Sequence, residues 1–350
     1  MNSPKRQLAA HATKARMLHI LDQQPFQPAW WLPGPHAQTI WPNLLRPIPQ
    51  VALTEERAET PDGDFLMLHN TWGDPKLPTV LILHGLEGSA QAIYVQSMVR
   101  RLQAIGWNCV VMEFRGCSRT LNQAPRLYHS GETSDLDFVV RHLQRTRQIS
   151  SLYLLGFSLG GNIVAKWLGE VGSDAAVRGA VVLSPPFDLR GSATKIENSL
   201  FGAYTRYFLK SLIRRAIAKA RQFPGRIDIA RVISARTIVE FDTHATAPMH
   251  GFLDAFDYYD QSSCSRFLPL VRVPTLLLAS QDDPYNPHDT IPFEAANQSP
   301  WIIPQFPRRG GHLGFVGGSW PLRPRFWAED QTLRFLTGVE SAVGSISHAG

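Results

Sequence analysis

The sequence predicts an α/β architecture in which a mostly parallel central sheet carries helices on both faces. Two observations lead there. From residue 65 onward, short and continuously apolar runs alternate with amphipathic segments. The interval from Phe187 to Phe267 then breaks that rhythm with helical patterning alone. Continuous apolar strands separated by helices mark a sheet buried on both faces, which crossover connections between parallel strands produce.

Strand-type runs fall at residues 65–68, 79–83, 109–114, 152–155, 180–183, 275–279 and 301–303. Helix-type segments fall at 92–105, 132–145, 161–170 and 325–335. Residues 51–186 and 268–340 are therefore read as the core. Residues 187–267, between the sixth and seventh strands, are read as a helical cap over the carboxyl ends of the sheet; ordinary surface helices are the alternative. Residues 1–50 form an N-terminal extension and wrapping segment. Its first part has helical spacing in Leu8, Ala12, Ala15, Leu18 and Leu21. The stretch from Pro25 to Pro49 is predicted not to be regular helix, because proline removes a donor and restricts its neighbour. Trp30, Trp31 and Trp41 are its expected packing anchors. No internal repeat or low-complexity segment is present.

The chain has 350 residues, enough to bury a sizeable core, and is 44% hydrophobic and 18% charged, which is ordinary globular composition. No apolar run approaches the roughly 20 residues of a membrane-spanning helix. Lys5, Arg6, Lys14 and Arg16 are not followed by an apolar segment with a cleavage site, so no secretory signal is read and a cytoplasmic location is expected. The three cysteines, Cys109, Cys117 and Cys264, are widely spaced and suit a reducing compartment as core thiols.

The net charge of +6 is concentrated. Residues 201–236 carry nine basic side chains (Arg206, Lys210, Arg214, Arg215, Lys219, Arg221, Arg226, Arg231 and Arg236) against the single acid Asp228. Helical spacing favours a solvated face, with contact to a membrane surface or to an anionic substrate as the alternative; no nucleic-acid-binding motif is present.

The chemistry begins at Gly156-Phe-Ser158-Leu-Gly160, which follows an apolar strand and opens a helix. A serine on so sharp a strand-to-helix turn projects its hydroxyl away from the sheet, and the flanking positions must lack colliding side chains. The turn also puts the Leu159 N–H beside a reacting carbonyl. At the end of another strand, His84-Gly-Leu86-Glu-Gly88 supplies a second candidate donor for an oxyanion, the Leu86 N–H. His84 is read as shaping this loop rather than as a base.

Asp282-Asp283-Pro284 follows a later strand, and Gly310-Gly-His312 follows the last one. A serine hydroxyl is a weak nucleophile and needs an imidazole to take its proton. The imidazole needs a carboxylate to fix its tautomer. Ser158, Asp283 and His312 occur in the chain order of an α/β-hydrolase. Asp283 is favoured over Asp282 by its spacing to Pro287. Arg115 is expected to pair with a buried carboxylate such as Glu132 or Asp135, and His129 and Glu132 to brace the same loop. The histidines show no HExxH spacing, so a metal-dependent hydrolase is disfavoured. Ser192-x-x-Lys195 lacks the partner motifs of a Ser-Lys enzyme.

The chain resembles the YheT-like esterase family of the α/β-hydrolases, from Pro35 nearly to the end. The resemblance runs through Pro35-His-Ala-Gln-Thr39, Pro61-Asp-Gly-Asp-Phe65, His84-Gly-Leu-Glu-Gly88 and Phe114-Arg-Gly-Cys-Ser118. It continues through Tyr128-His-Ser-Gly-Glu-Thr133, Gly156-Phe-Ser-Leu-Gly-Gly-Asn162, Glu240-Phe-Asp242, Asp282-Asp-Pro284 and Gly311-His-Leu-Gly-Phe315. It implies an α/β-hydrolase fold, a Ser-Asp-His triad at Ser158, Asp283 and His312, and no cofactor. The expected activity is hydrolysis of carboxylic esters through an acyl-enzyme. A cap rich in Phe201, Tyr204, Tyr207, Phe208, Leu209, Leu212 and Ile213 would suit an apolar acyl chain. Acyl transfer to an alcohol is the runner-up, and a catalytically silent binding protein the alternative from another class.

Overall fold

The computed structural model describes residues 4–47 and 50–347; Pro49, the expected end of the proline-rich stretch, lies outside them. The apolar runs become β1 (Thr54–Glu59), β2 (Phe65–Thr71), β3 (Thr79–Leu83), β4 (Asn108–Glu113), β5 (Leu152–Phe157), β6 (Gly179–Leu183), β7 (Thr275–Leu278) and β8 (Ile302–Gln305). They form one sheet in the order β1-β2-β4-β3-β5-β6-β7-β8. Pairing is antiparallel through β1, β2 and β4 and parallel from there to β8. Every residue of β3 to β7 is buried, which is why these strands read as unbroken apolar runs. Sequence patterning misses β1, whose Thr-Glu-Glu-Arg-Ala-Glu composition belongs to an exposed sheet edge.

The helices are α1 (Pro4–Asp22), α2 (Gly34–Leu44), α3 (Ile93–Ala104), α4 (Thr133–Arg147), α5 (Leu159–Val171), α6 (Leu189–Asn198), α7 (Ala203–Gln222), α8 (Ile229–Ser234), α9 (Ile238–Phe241), α10 (Ala247–His250), α11 (Ala255–Ser262), α12 (Phe293–Gln298) and α13 (Trp327–Ser347). One face of the sheet packs on Leu136, Val139 and Leu143 of α4 and Ile163, Val164 and Leu168 of α5. The other packs on Met98 and Leu102 of α3, Met17 and Leu21 of α1 and Phe335 and Leu336 of α13. Each such leucine, fully buried, contributes about 1.5–3 kcal/mol. Helices α6 to α11 lie between β6 and β7 in sequence and share a core of their own around Phe208, Val232, Phe241, Tyr258 and Tyr259.

The wrapping segment differs from expectation. Part of the proline-rich stretch is helix: in α2, Pro35 occupies the first turn, where its missing N–H costs nothing, and Pro42 lies inside. Trp31 and Trp41 meet edge to face at 5.0 Å as anchors, but Trp30 is 74% exposed, its indole N–H donating to the Ser319 carbonyl. All three cysteines are buried thiols without a disulfide partner.

Candidate active site

Strand register brings the distant motifs to one rim. Leu83 at the end of β3 pairs with Gly156, Phe157 at the end of β5 with Leu183, and Leu183 with Leu278 at the end of β7. The segments beginning at His84, Ser158 and Ala279 therefore leave the same edge of the sheet, and the loop after β8 returns to it.

Ser158 adopts φ 52°, ψ −117°, a backbone state that costs a non-glycine residue about 1–3 kcal/mol. Its N–H donates to the Leu183 carbonyl at 2.8 Å, and its own carbonyl accepts from the Asn162 N–H at 3.0 Å, so strand and helix hold the turn from both sides. The flanking glycines are dictated by space. A Cβ on Gly156 would lie 2.4 Å from the Gly160 carbonyl oxygen, and one on Gly160 would lie 2.6 Å from those of Leu83 and His84.

The His312 ring lies between Ser158 and Asp283. Its Nε2 is 2.9 Å from Ser158 Oγ and its Nδ1 is 2.8 Å from Asp283 Oδ2. With an acceptor-only carboxylate at Nδ1, the ring proton sits there and Nε2 faces the hydroxyl as acceptor. Asp283, 1% exposed, also accepts from the Tyr285 and Asn286 N–H groups and from Asn286 Nδ2. Asp282 instead accepts the Gly311 N–H at 3.0 Å, so it braces the histidine loop. The Tyr285 ring lies over His312 at 4.3 Å.

Further supports came from residues to which sequence reasoning gave no role. Thr39 Oγ1 accepts the His312 N–H at 2.8 Å, and Gln38 exchanges two hydrogen bonds with the Val316 backbone. A Cβ on Gly314 would lie 2.0 Å from the Gln38 carbonyl oxygen. The Pro35–Thr39 block is thus the seat of the histidine loop; its signal was present in the family resemblance but without a role. Ser192 and Lys195, a meaningless pair as a Ser-Lys motif, both bind Asn286 from α6 and so steady the Asp283 loop.

His84 is fully buried between the Gly85 carbonyl, to which Nδ1 donates at 2.8 Å, and the Phe114 N–H, which Nε2 accepts at 3.3 Å. Burial lowers its pKa to about 4, and the neutral ring shapes the loop. Arg115 chelates Asp135 through Nε and Nη2 and reaches Asp64 at 2.6 Å. Of its two expected partners, Glu132 belongs instead to Arg126, at 2.6 Å.

Leu86 and Leu159 line a pocket of about 990 Å³, counted out to its mouth, together with Ser158 and His312. Leu159 opens α5, and the first N–H groups of a helix have no partner within it. The pocket wall is largely apolar, with Leu189 and Ile196 from α6, Phe208 and Leu212 from α7 and Met249 from α10. Phe201 and Tyr207, expected among the acyl-facing residues, are instead 96% and 72% exposed. The basic stretch also divides. Arg206, Lys210, Arg214 and Arg221 are exposed, whereas Lys219 turns inward to the Asn122 and Ala124 carbonyls, and burial lowers its pKa to about 8.

His129, Glu132 and His250 approach one another closely enough to share a metal ion. The hydrogen bonds of two of the three, His129 and Glu132, compete with one. His129 Nδ1 accepts the Gly131 N–H, which leaves the ring proton on Nε2, and Arg126 and Ser134 occupy the Glu132 oxygens. Both imidazoles are held neutral, burial lowering each pKa to about 3.

Comparison with known proteins agrees with this architecture. The model of the alpha/beta hydrolase fold family matches residues 78–317. "Putative esterase YheT" of Escherichia coli (strain K12) is 39% identical over 311 residues, covering 86% of this chain and 90% of that protein. The chain belongs to the α/β-hydrolase family, in its YheT-like branch. Mouse phospholipase ABHD3 is 30% identical across 85% of this chain and 74% of its own. Yeast monoacylglycerol lipase is 30% identical across 75% of this chain and 61% of its own. Among solved structures, Est1E from Butyrivibrio proteoclasticus aligns with a TM-score of 0.51 at 13% identity, covering 83% of this chain and 99% of that one. That likeness is one of fold. This family member stands among esterase- and lipase-type hydrolases, and no helix of its described residues is long and apolar enough to cross a membrane.

Proposed function

We propose that this hydrolase cleaves carboxylic esters through an acyl-enzyme on Ser158. The observation that carries the reading is the relay from Ser158 Oγ through His312 to Asp283, with contacts of 2.9 and 2.8 Å. Ser158 Oγ attacks the ester carbonyl carbon as His312 Nε2 takes its proton. The resulting oxyanion accepts from the Leu86 and Leu159 N–H groups. As the tetrahedral intermediate collapses, the C–O bond to the alcohol breaks and His312 returns the proton to the leaving oxygen. Water then attacks the acyl carbon with His312 as base, and the acid leaves as Ser158 regains its hydrogen. Asp283 keeps the imidazole in the required tautomer and stabilises its charged form. The apolar cap wall supports an ester with a hydrocarbon acyl chain as substrate.

The test is turnover of p-nitrophenyl esters of graded acyl length, together with labelling by a fluorophosphonate. The wild type is expected to be labelled and to prefer acyl chains longer than acetyl, while Ser158→Ala loses both labelling and turnover. Labelling that survives Ser158→Ala would end this reading. Added alcohol that captures most of the acyl group as a new ester would make the protein an acyltransferase with the same triad.

The cap also supports contact with an anionic membrane surface. Leu200, Phe201 and Gly202 all have positive φ (47°, 53° and 72°) and push Phe201 into solvent beside the cationic face of α7. An exposed aromatic beside exposed cations suits the interface of an acidic bilayer. The protein is expected to co-sediment with phosphatidylserine-containing vesicles at low salt, less so in 0.5 M salt (where screening is within about 4–5 Å) and less so as Phe201→Ser. Equal sedimentation with neutral phosphatidylcholine vesicles would refute the electrostatic contact.

A further inference from the structure

The turn that carries Leu86 is held by the cap. Glu87, next in the chain, is a non-glycine residue at φ 57°. Left alone, such a residue relaxes to negative φ and turns the adjoining peptides with it. Three contacts oppose that. The Glu87 N–H donates to Tyr128 Oη at 3.0 Å, and the same hydroxyl donates to Glu87 Oε1 at 2.9 Å, closing a ring around the strained residue. Arg215 Nε, from α7 of the cap, donates to Glu87 Oε2 at 2.7 Å. The same guanidinium donates through Nη1 to the Gly116 carbonyl in the loop after β4. The ion pair is largely shielded from water, with 17% of the Arg215 side chain and 5% of the Glu87 side chain exposed. Leu86 itself packs against both the sheet core and the cap core.

We propose that Arg215 is a positioning residue for the oxyanion site. By clamping Glu87 it keeps the Leu86 N–H aimed at the reacting carbonyl, so the site is complete only when the cap is seated. This inference rests on the Ser158 reading above. It adds that a cap residue acts on the chemical step, for every ester including those too short to touch the cap wall. An exposed ion pair would have little effect, but a shielded one that holds a strained turn has no water to replace it.

The experiment compares wild type with Arg215→Met, Glu87→Gln, Tyr128→Phe and the Arg215→Met/Glu87→Gln double variant, on p-nitrophenyl acetate and on a long-chain ester. Losing an oxyanion donor outright lowers kcat about 10²–10³-fold, so a misaimed one is expected to lower it about 10–100-fold. KM for the acetate stays close to the wild-type value, the fluorophosphonate reacts correspondingly slowly, and Arg215→Lys recovers part of the loss. The double variant falls no further than the worse single, because both remove one clamp. An Arg215→Met protein with wild-type kcat on the acetate and a raised KM for the long ester alone would overturn the proposal, leaving Arg215 as pocket wall. Fully multiplicative losses would overturn it too. Thermal unfolding of each variant checks folding, and if Arg215→Met does not fold, Glu87→Gln and Tyr128→Phe carry the same test. A wild type inert to fluorophosphonate would instead sink the Ser158 reading beneath it.

Discussion

At the scale of single residues, two adjacent carboxylates divide the work around His312. Asp283 meets the imidazole at Nδ1, whereas Asp282 accepts the Gly311 N–H. Replacing each by its amide separates the roles. Asp283→Asn can offer an N–H where an acceptor is required, so the imidazole turns to the wrong tautomer; a loss in kcat of about 10³–10⁴-fold is expected, with the fold intact. Asp282→Asn keeps an oxygen for Gly311 and is expected to hold kcat within the same order of magnitude. Steady-state kinetics on one ester decides; equal losses would mean that both residues merely hold the loop. The sequence favoured Asp283 only through its spacing to Pro287. The contact that separates the two, Asp283 Oδ2 to His312 Nδ1 at 2.8 Å, joins residues 29 apart and lies beyond any local spacing rule, while Tyr285 and Asn286 hold the carboxylate from two and three residues on.

At the scale of elements, legibility followed burial. Strands β3 to β7 are buried throughout, so composition alone marks them, and the elbow announces itself because no side chain fits at Gly156 or Gly160. Edge strand β1 is mostly solvated and looks like a charged loop. Helix α2 departs from the proline rule in two ways: Pro35 stands in the first turn, where the rule does not apply, and Pro42 is accommodated inside the helix at the loss of one backbone donor. The cap stripe shows a different limit. Helical spacing placed Phe201, Tyr207 and Phe208 in one apolar group, but three successive left-handed residues at 200–202 precede α7, and Phe208 alone of the three lines the pocket. Arg215 was equally invisible: among nine basic residues, nothing local distinguishes the one that reaches Glu87.

At the scale of the molecule, burial of titratable groups around the pocket sets opposing pH dependences of stability. His129 and His250, with pKa values lowered to about 3, resist the charge that the unfolded chain accepts near pH 6.5, so their contribution holds above that pH and is lost as pH falls toward 3. Asp242 works the other way. Burial raises its pKa to about 6 despite hydrogen bonds from Thr246 and Tyr259. The folded state therefore prefers the protonated acid. Stability gained from it is full below pH 3.8, fades as pH rises to about 6, and is absent at neutral pH, where the ionised carboxylate costs about 3 kcal/mol. Asp242→Asn removes the charge while keeping the shape. The variant is expected to melt above the wild type at pH 8, by less than that cost implies because the amide nitrogen cannot accept the hydroxyl it replaces an oxygen for. The margin should close as pH falls to 4. Melting curves across that range read it directly: a margin that stays constant would mean that Asp242 does not titrate inside the folded cap.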